Sequence, residues 1–333
     1  MDYSDFEGKT FLITGATGMI GSCLIDLLME WNQCQRAPCH VIAVSRTEAS
    51  AKKRFGYCWD SPNFTFCEQN VCVPMQDITG QIDYMIHAAS YADPLSFKTH
   101  PVDILLANVL GTDNLLKYGK SHGLKRFLYV SSGEIYGQSP QDNADFVESY
   151  CGPVDYSSPR SCYPAGKRAG ESLCQAYIDQ YRLDIVIARP CHIFGPTMTD
   201  KDSKAASEFL RNAAGKRNIV MRSAGKKERS HCYVVDAANA IFHILKRGTC
   251  GEAYNIADRK YQMTIFEFAQ TAAEIGSCEV VLDLPNESEY LGYSKIQRSV
   301  LDPSKLERIG WRAFGSFPDG IKNTIEILRE REK

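Results

Sequence analysis

Thr10-Phe11-Leu12-Ile13-Thr14 runs without a break into Gly15-Ala16-Thr17-Gly18-Met19-Ile20-Gly21, and from Met19 to Trp31 apolar residues recur at three- and four-residue spacing. The order is strand, glycine turn, helix. Gly15 permits the tight turn, Gly18 lets the backbone approach a pyrophosphate, and Gly21 lets the helix pack on the strand. The first N–H groups of the helix then supply donors to an anion. Gly15, Thr17, Gly18, Met19, Ile20 and Gly21 are therefore expected to cradle a dinucleotide.

Outward from this segment the pattern repeats. Val41 to Ser45, Phe64 to Cys67, Tyr84 to Ala88, Arg126 to Ser131 and Asp184 to Arg189 read as strands, with helical spacing in between, notably over Ile104 to Ser121 and Cys162 to Tyr181. Such alternation predicts an α/β fold of Rossmann type, a doubly wound parallel sheet covered by helices. After about residue 190 the alternation lapses. Ser203 to Ala214, Ala237 to Lys246, Ile265 to Ile275 and Pro318 to Arg331 read as helices, with short strands around Tyr254 and Val280. Residues 1–190 are expected to form the dinucleotide-binding domain, and 191–333 mainly a smaller C-terminal substrate-binding lobe, some of whose segments can return to the first domain. The charged end, Arg329 to Lys333, reads as a frayed helix.

The second strand ends Val44-Ser45-Arg46-Thr47, with no carboxylate for a ribose 2′-hydroxyl. Ser45 and Arg46 suit a 2′-phosphate instead, so the cofactor is NAD or NADP with a lean towards NADP. The alternative is that Arg46 lies over the adenine or in solvent. Asn70 and Val71 after the third strand, Ala88, Ala89 and Ser90 after the fourth, and Pro190 at the end of the sixth are expected at the cofactor by position, with Tyr91 at cofactor or substrate.

The composition excludes several classes. In 333 residues, 38 basic side chains face 40 acidic ones, a field too weak to draw nucleic acid or a membrane surface. Thirteen cysteines with no Cys-x-x-Cys pair form neither a disulfide framework nor a metal site. They imply a reducing compartment. With an acidic start at Met1 to Asp5 and no run near ~18 apolar residues, a soluble cytoplasmic protein is expected.

Tyr163 and Lys167 lie four apart at the start of a helical stretch, on one face. An ammonium beside a phenol favours the phenolate, so the tyrosine pKa is expected to fall from ~10 towards working pH. Alone, such a pair is more often a surface tyrosine and a solvated lysine. The fifth strand, however, ends Ser131-Ser132-Gly133-Glu134-Ile135-Tyr136-Gly137, which places a hydroxyl and a carboxylate at the same edge.

Together these motifs resemble the extended short-chain dehydrogenase/reductase family, the nucleotide-sugar epimerases, dehydratases and decarboxylases, over nearly the whole chain. The resemblance implies Ser132, Tyr163 and Lys167 as catalytic residues, with Tyr163 and Lys167 also touching the cofactor and Glu134 beside them. Tyr163 takes a proton from a sugar C4 hydroxyl as the C4 hydride passes to nicotinamide, Ser132 shares the hydrogen bond, and Lys167 orients the ribose. Within the family, Pro159-Arg160-Ser161-Cys162-Tyr163-Pro164-Ala165-Gly166-Lys167-Arg168 with Glu171 looks most like the UDP-glucuronate decarboxylases. There a 4-keto intermediate bearing a C5 carboxylate loses carbon dioxide.

Tyr91, Ser132, Gly133, His192, Arg222 and Arg229 are the implied substrate contacts, Arg229 gripping the pyrophosphate unless it is only one of the surface charges near Lys226 and Lys227. Three departures put the substrate in question: His192 replaces an asparagine, Gly133 replaces a serine or aspartate, and the acid after the second strand is missing. His192 either hydrogen-bonds substrate or is a core histidine. Gly133 also deprives a 4,6-dehydratase of its acid. A 4-epimerase, an NADPH-dependent keto-sugar reductase and, outside enzymes, a dinucleotide-binding sensor or scaffold remain alternatives. The resemblance further implies a homodimer through the helices near 104–121 and 163–181, and Asn108 as structural support.

Overall fold

In the computed structural model, which describes residues 4–76, 78, 80–139, 144–284 and 296–331, the opening apolar run is a strand buried from Phe11 to Thr14. A strand buried on both faces needs a helix layer on each side. The strands in chain order are β1 (Thr10–Thr14), β2 (His40–Ser45), β3 (Phe64–Glu68), β4 (Tyr84–His87), β5 (Arg126–Val130), β6 (Ile185–Pro190), β7 (His192–Phe194), β8 (Ile219–Met221), β9 (Glu228–Tyr233), β10 (Ala253–Ile256), β11 (Gln262–Thr264), β12 (Val280–Leu282) and β13 (Arg298–Ser299). The helices are α1 (Met19–Asn32), α2 (Glu48–Phe55), α3 (Pro94–Thr99), α4 (Pro101–Ser121), α5 (Cys162–Tyr181), α6 (Ala205–Ala214), α7 (Val234–Arg247), α8 (Ile265–Gly276), α9 (Ser304–Arg308) and α10 (Phe317–Arg331).

Seven strands form one parallel sheet in the order β10-β6-β5-β4-β1-β2-β3. The order reverses between β1 and β4, and parallel strands bring all their carboxyl ends to one edge, so a crevice opens there. The expected doubly wound fold is borne out. One face is covered by α1 and α7, whose Leu24, Ile25, Ala237 and Phe242 pack with Phe11, Ile13 and Val41. The other is covered by α4 and α5 through Leu115, Leu116, Cys174 and Tyr177. The segment 234–256 thus lies with the large layer, because α7 buries ten residues and every residue of β10 is buried.

Two glycines set how near α5 comes to the sheet. A Cβ on Gly166 would sit 3.3 Å from that of Asn108, and one on Gly170 would strike the Tyr129 hydroxyl. With hydrogens there, α5 lies close against α4 and β5, and its first turn reaches the carboxyl edge.

The smaller lobe packs α6, α8 and α10 around Phe194, Phe209, Phe268 and Phe317. At its centre β9 pairs with β7 and β13 in parallel and with β11 antiparallel. Side chains alternate along β9: Cys232 joins the core under α7, while His231 faces Phe268 and Phe317. The charged end of α10 is not frayed as expected. Arg329 donates to the carbonyls of Ala213, Ala214 and Gly276, and Arg331 to that of Pro196 at 2.6 Å. Unpaired carbonyls at the ends of α6 and α8 attract a cation; Glu332 and Lys333 lie outside the described residues. Among those residues, no helix is long and apolar enough to cross a membrane.

Candidate active site

Local sequence builds the cradle. Gly15 has φ +66°, and a Cβ there would sit 2.5 Å from the Ala88 oxygen and 2.8 Å from the Ala89 nitrogen. A Cβ on Gly21 would overlap the Gly15 carbonyl. The turn is held by Gly18 N–H donating to Gly15 O at 2.9 Å and Ala16 N–H to Val44 O at 3.2 Å. Gly18 caps α1 without any side-chain bond, which leaves the first N–H groups of the helix for an anion. Thr197 of the lobe ties its hydroxyl to Met19 O at 2.8 Å. Two hydroxyls at the same edge, Ser45 Oγ and Ser131 Oγ, are buried without a partner among the described residues. A close backbone turn, a bare helix start and two orphaned hydroxyls fit a dinucleotide.

The remaining expected cofactor residues come to the same edge. Asn70 and Val71 follow β3, where the Asn70 side chain closes a turn onto Cys72 N and Val71 O accepts from Asn114. Ala88 and Ala89 lie against Gly15, and Ser90 Oγ accepts from Asn108 Nδ2 at 3.0 Å. Asn108 is fully buried and also receives the Tyr129 hydroxyl, so it braces β5 against α4. Arg46 is exposed; its Nη1 donates to the Tyr91 hydroxyl at 2.6 Å and its guanidinium lies 4.7 Å from the centre of that ring.

Ser132, Tyr163 and Lys167 converge at the end of β5. The Ser132 hydroxyl lies near enough to Tyr163 to favour its phenolate, and Ser132 Oγ accepts from Glu134 N at 3.1 Å. Lys167 Nζ donates to Val130 O at 2.7 Å and stands 5.8 Å from the centre of the Tyr163 ring. Burial lowers the Lys167 pKa to about 7, partly offset by Glu171. The expectation that the ammonium pulls the phenol towards ionisation is not met. Burial pushes the Tyr163 phenol up, the neighbouring Ser132 hydroxyl pulls it back, and the charges that act on it are Glu134, upward, and Arg160, downward. Desolvation outweighs a cation held at that distance by a backbone carbonyl.

Several contacts lay beyond sequence reasoning. Phe97 of α3 stacks on Tyr163 with centroids 4.8 Å apart. Arg160 Nη2 pairs with Glu134 Oε1 at 3.0 Å, and its guanidinium lies over Phe97 at 5.5 Å. Only the proximity of Arg160 to Tyr163 in the chain hinted at this. Glu171, four residues after Lys167, receives Arg189 Nε at 2.9 Å and Nη2 at 2.6 Å. Arg189 reaches on to the Tyr136 hydroxyl and Glu148 O, so α5, β6 and the turn after β5 are clamped together.

In the lobe, Arg229 is buried, with Nη1 donating to Glu228 O and Gln297 O and Nη2 to Ile296 O. It is not a surface charge. Burial lowers its pKa to about 10, with Glu134 and Arg160 the charges it feels. His192 faces His231 across β7 and β9 with rings 5.9 Å apart. Burial first, then His231 and Arg229, drive His192 well below the ordinary imidazole range, while burial and Arg229 take His231 to about 3. Gly133 packs by Leu301 and Pro190 O. Arg222 is exposed just past β8, and no contact joins it to this group among the described residues.

Comparison with known proteins gives this arrangement its relatives. UDP-glucuronic acid decarboxylase 6 of Arabidopsis thaliana is 32% identical over 323 residues, covering 96% of this chain and 89% of that one. UDP-glucuronic acid decarboxylase 1 of Xenopus tropicalis is 28% identical over 332 residues, covering 98% and 74%. Among solved structures, UDP-glucuronic acid 4-epimerase from Bacillus cereus, in complex with UDP-glucuronic acid and NAD, shares the fold with a TM-score of 0.79 at 20% identity, covering 97% and 99%. The resemblance read from the motifs is borne out. The sequence pattern of the NAD dependent epimerase/dehydratase family matches residues 11–257, and the chain, glycine cradle and Ser132–Tyr163–Lys167 group included, belongs to that family.

Proposed function

We propose that the protein oxidises C4 of UDP-linked glucuronate to a 4-keto acid and releases carbon dioxide from it. The observation that carries this reading is Tyr163 one turn before Lys167 on α5, with Lys167 Nζ bonded to Val130 O at the end of β5 and Ser132 following just beyond. Relatives up to 32% identical over nearly their whole length carry the decarboxylase name. A bound nicotinamide supplies the acceptor for the C4 hydrogen and its electron pair, and its ring charge favours the phenolate that burial opposes. Tyr163 exchanges a proton with the C4 hydroxyl at its phenolic oxygen. Ser132 holds that oxygen in line, and Lys167, fixed on Val130 O, adds positive field behind it. Arg229 meets the diphosphate from the lobe.

Once C4 is a ketone, a C5 carboxylate leaves with its electrons taken up by the carbonyl. The cleavage itself needs no leaving-group acid, and the enolate it leaves then takes one proton at C5. Dehydration needs an acid to protonate the leaving hydroxyl, and Gly133 supplies none, while Glu134 Oε1 is engaged by Arg160. Incubation with UDP-glucuronate, UDP-glucose and UDP-N-acetylglucosamine, followed by mass analysis, decides the matter. Loss of carbon dioxide from the first alone is expected; unchanged mass with inverted C4 would make it an epimerase.

Ser45 and Arg46 favour NADP, since a guanidinium and a hydroxyl suit a 2′-phosphate and no carboxylate stands there. The thirteen free cysteines fit a cytoplasmic location. Val102, Leu105, Leu106 and Leu110 form an exposed apolar stripe on α4, which fits a homodimer through α4 and α5.

A further inference from the structure

We propose that Arg160 is a specificity-determining residue of this site, its guanidinium receiving the carboxylate on C5 of the sugar in exchange for Glu134. The inference rests on the reading above that the substrate is a nucleotide-linked uronate, and adds which residue recognises the acid.

The first argument is unused capacity. A guanidinium offers five N–H donors in a planar fork that takes both oxygens of a carboxylate. Arg189 uses that fork fully, giving Nε and Nη2 to the two oxygens of Glu171 with both side chains nearly buried. Arg160 gives only Nη2 to Glu134 Oε1, end-on at 3.0 Å, and both side chains remain about one third or one quarter exposed, at 35% and 27%. Its other contact among the described residues is with the Phe97 ring, which leaves the fork's edge open. One partly hydrated ion pair is worth little, so an incoming carboxylate replaces it at small cost.

The second argument is position. Phe97 touches both groups, stacked on Tyr163 at 4.8 Å and lying 5.5 Å from the Arg160 guanidinium. The short turn Pro159–Ser161 that carries Arg160 leads directly into α5, so arginine and phenol share one rigid unit. Tyr163 and Arg229 both feel Glu134 and Arg160, and Lys227 feels Arg160, so the Glu134–Arg160 pair neighbours both the phenol and the cations of the lobe. A pyranose carries its C5 substituent beside C4 and its C1 diphosphate at the far end of the ring. With C4 at Tyr163, the C5 acid falls at Arg160 and the diphosphate towards Arg229.

The test compares ligands that differ only at C5. Binding of UDP-glucuronate, UDP-glucose and UDP to the cofactor-loaded protein is measured by calorimetry for wild type, Arg160→Met, Arg160→Lys and Glu134→Gln, alongside kcat and KM for carbon dioxide release. Arg160→Met is expected to weaken UDP-glucuronate about 10–100-fold while UDP-glucose and UDP change less than about twofold. Arg160→Lys keeps the charge without the fork and falls between. Glu134→Gln removes the competing carboxylate and tightens UDP-glucuronate. Equal weakening of all three ligands in Arg160→Met, or no weakening of UDP-glucuronate, overturns the assignment. Should the wild type bind UDP-glucuronate through Arg160 yet release no carbon dioxide, the decarboxylase reading falls and the assignment stands. Should carbon dioxide form with an unchanged KM in Arg160→Met, the assignment falls and the reading stands.

Discussion

Replacing Glu171 with glutamine separates two jobs of one buried carboxylate. It holds Arg189 by two bonds of 2.9 and 2.6 Å, with both side chains only 11–12% exposed. Deleting one partner of such a pair outright costs roughly 3–5 kcal/mol, because a buried charge is left without its counterion. Glutamine keeps the shape and one acceptor, and Arg189 retains the Tyr136 hydroxyl and Glu148 O, so a loss of about 2 kcal/mol is expected. For a chain of 333 residues that corresponds to a fall in Tm of about 3 °C. The second job is electrostatic. Burial depresses Lys167 from 10.5 to about 7, and Glu171 is the largest influence holding it up. The folded pKa lies below the unfolded one, so Lys167 loses its proton as pH rises through about 7. Turnover that needs the ammonium therefore declines on the alkaline side, and Glu171→Gln moves that decline to lower pH. The stability sign is opposite. The unfolded chain holds more protons between about pH 7 and 10.5, so the penalty of burying Lys167 is complete below pH 7 and relieved as pH rises. Thermal unfolding and a pH profile of carbon dioxide release read both effects. An unchanged Tm with superimposable profiles would refute the clamp and the coupling together.

Tyr163→Phe is expected to cut kcat at least 10²-fold with dinucleotide binding intact, since only the phenolic hydroxyl is lost; full turnover by this variant would remove the phenol from the chemistry. Arg46→Glu should shift cofactor preference from NADP towards NAD, read as the ratio of the two dissociation constants. A wild-type protein that prefers NAD, with no shift in the variant, speaks against a 2′-phosphate contact. Leu106→Glu with Leu110→Glu should convert a dimer to a monomer in sedimentation, as both side chains stand exposed on α4; a wild-type monomer ends the homodimer proposal.

The fold was open to reading because its signals are local. Strand and helix periods in the first half, and three glycines at fixed spacing, each act within a few residues, and the tight approach of Gly15 to Ala88 follows from them. Tyr163 and Lys167 were equally legible, since four residues along a helix fix a shared face. The burial of Arg229 was not, because a charged neighbourhood in the chain says nothing about which strand pairs beside it. Nor was the ordered end of α10, whose arginines find carbonyls of helices far back in the sequence.

By itself the sequence determined the parallel α/β layer, the glycine turn and the grouping of Ser132, Tyr163 and Lys167 at one edge, all set by spacing along the chain. The tertiary structure alone decided that Phe97 stacks on Tyr163, that Arg160 meets Glu134 and that Arg189 clamps Glu171. It also decided the direction in which the phenol titrates. The physical reason is common to all of these: side chains distant in sequence meet only after packing, and the loss of water that packing imposes sets the energy of every charge they carry.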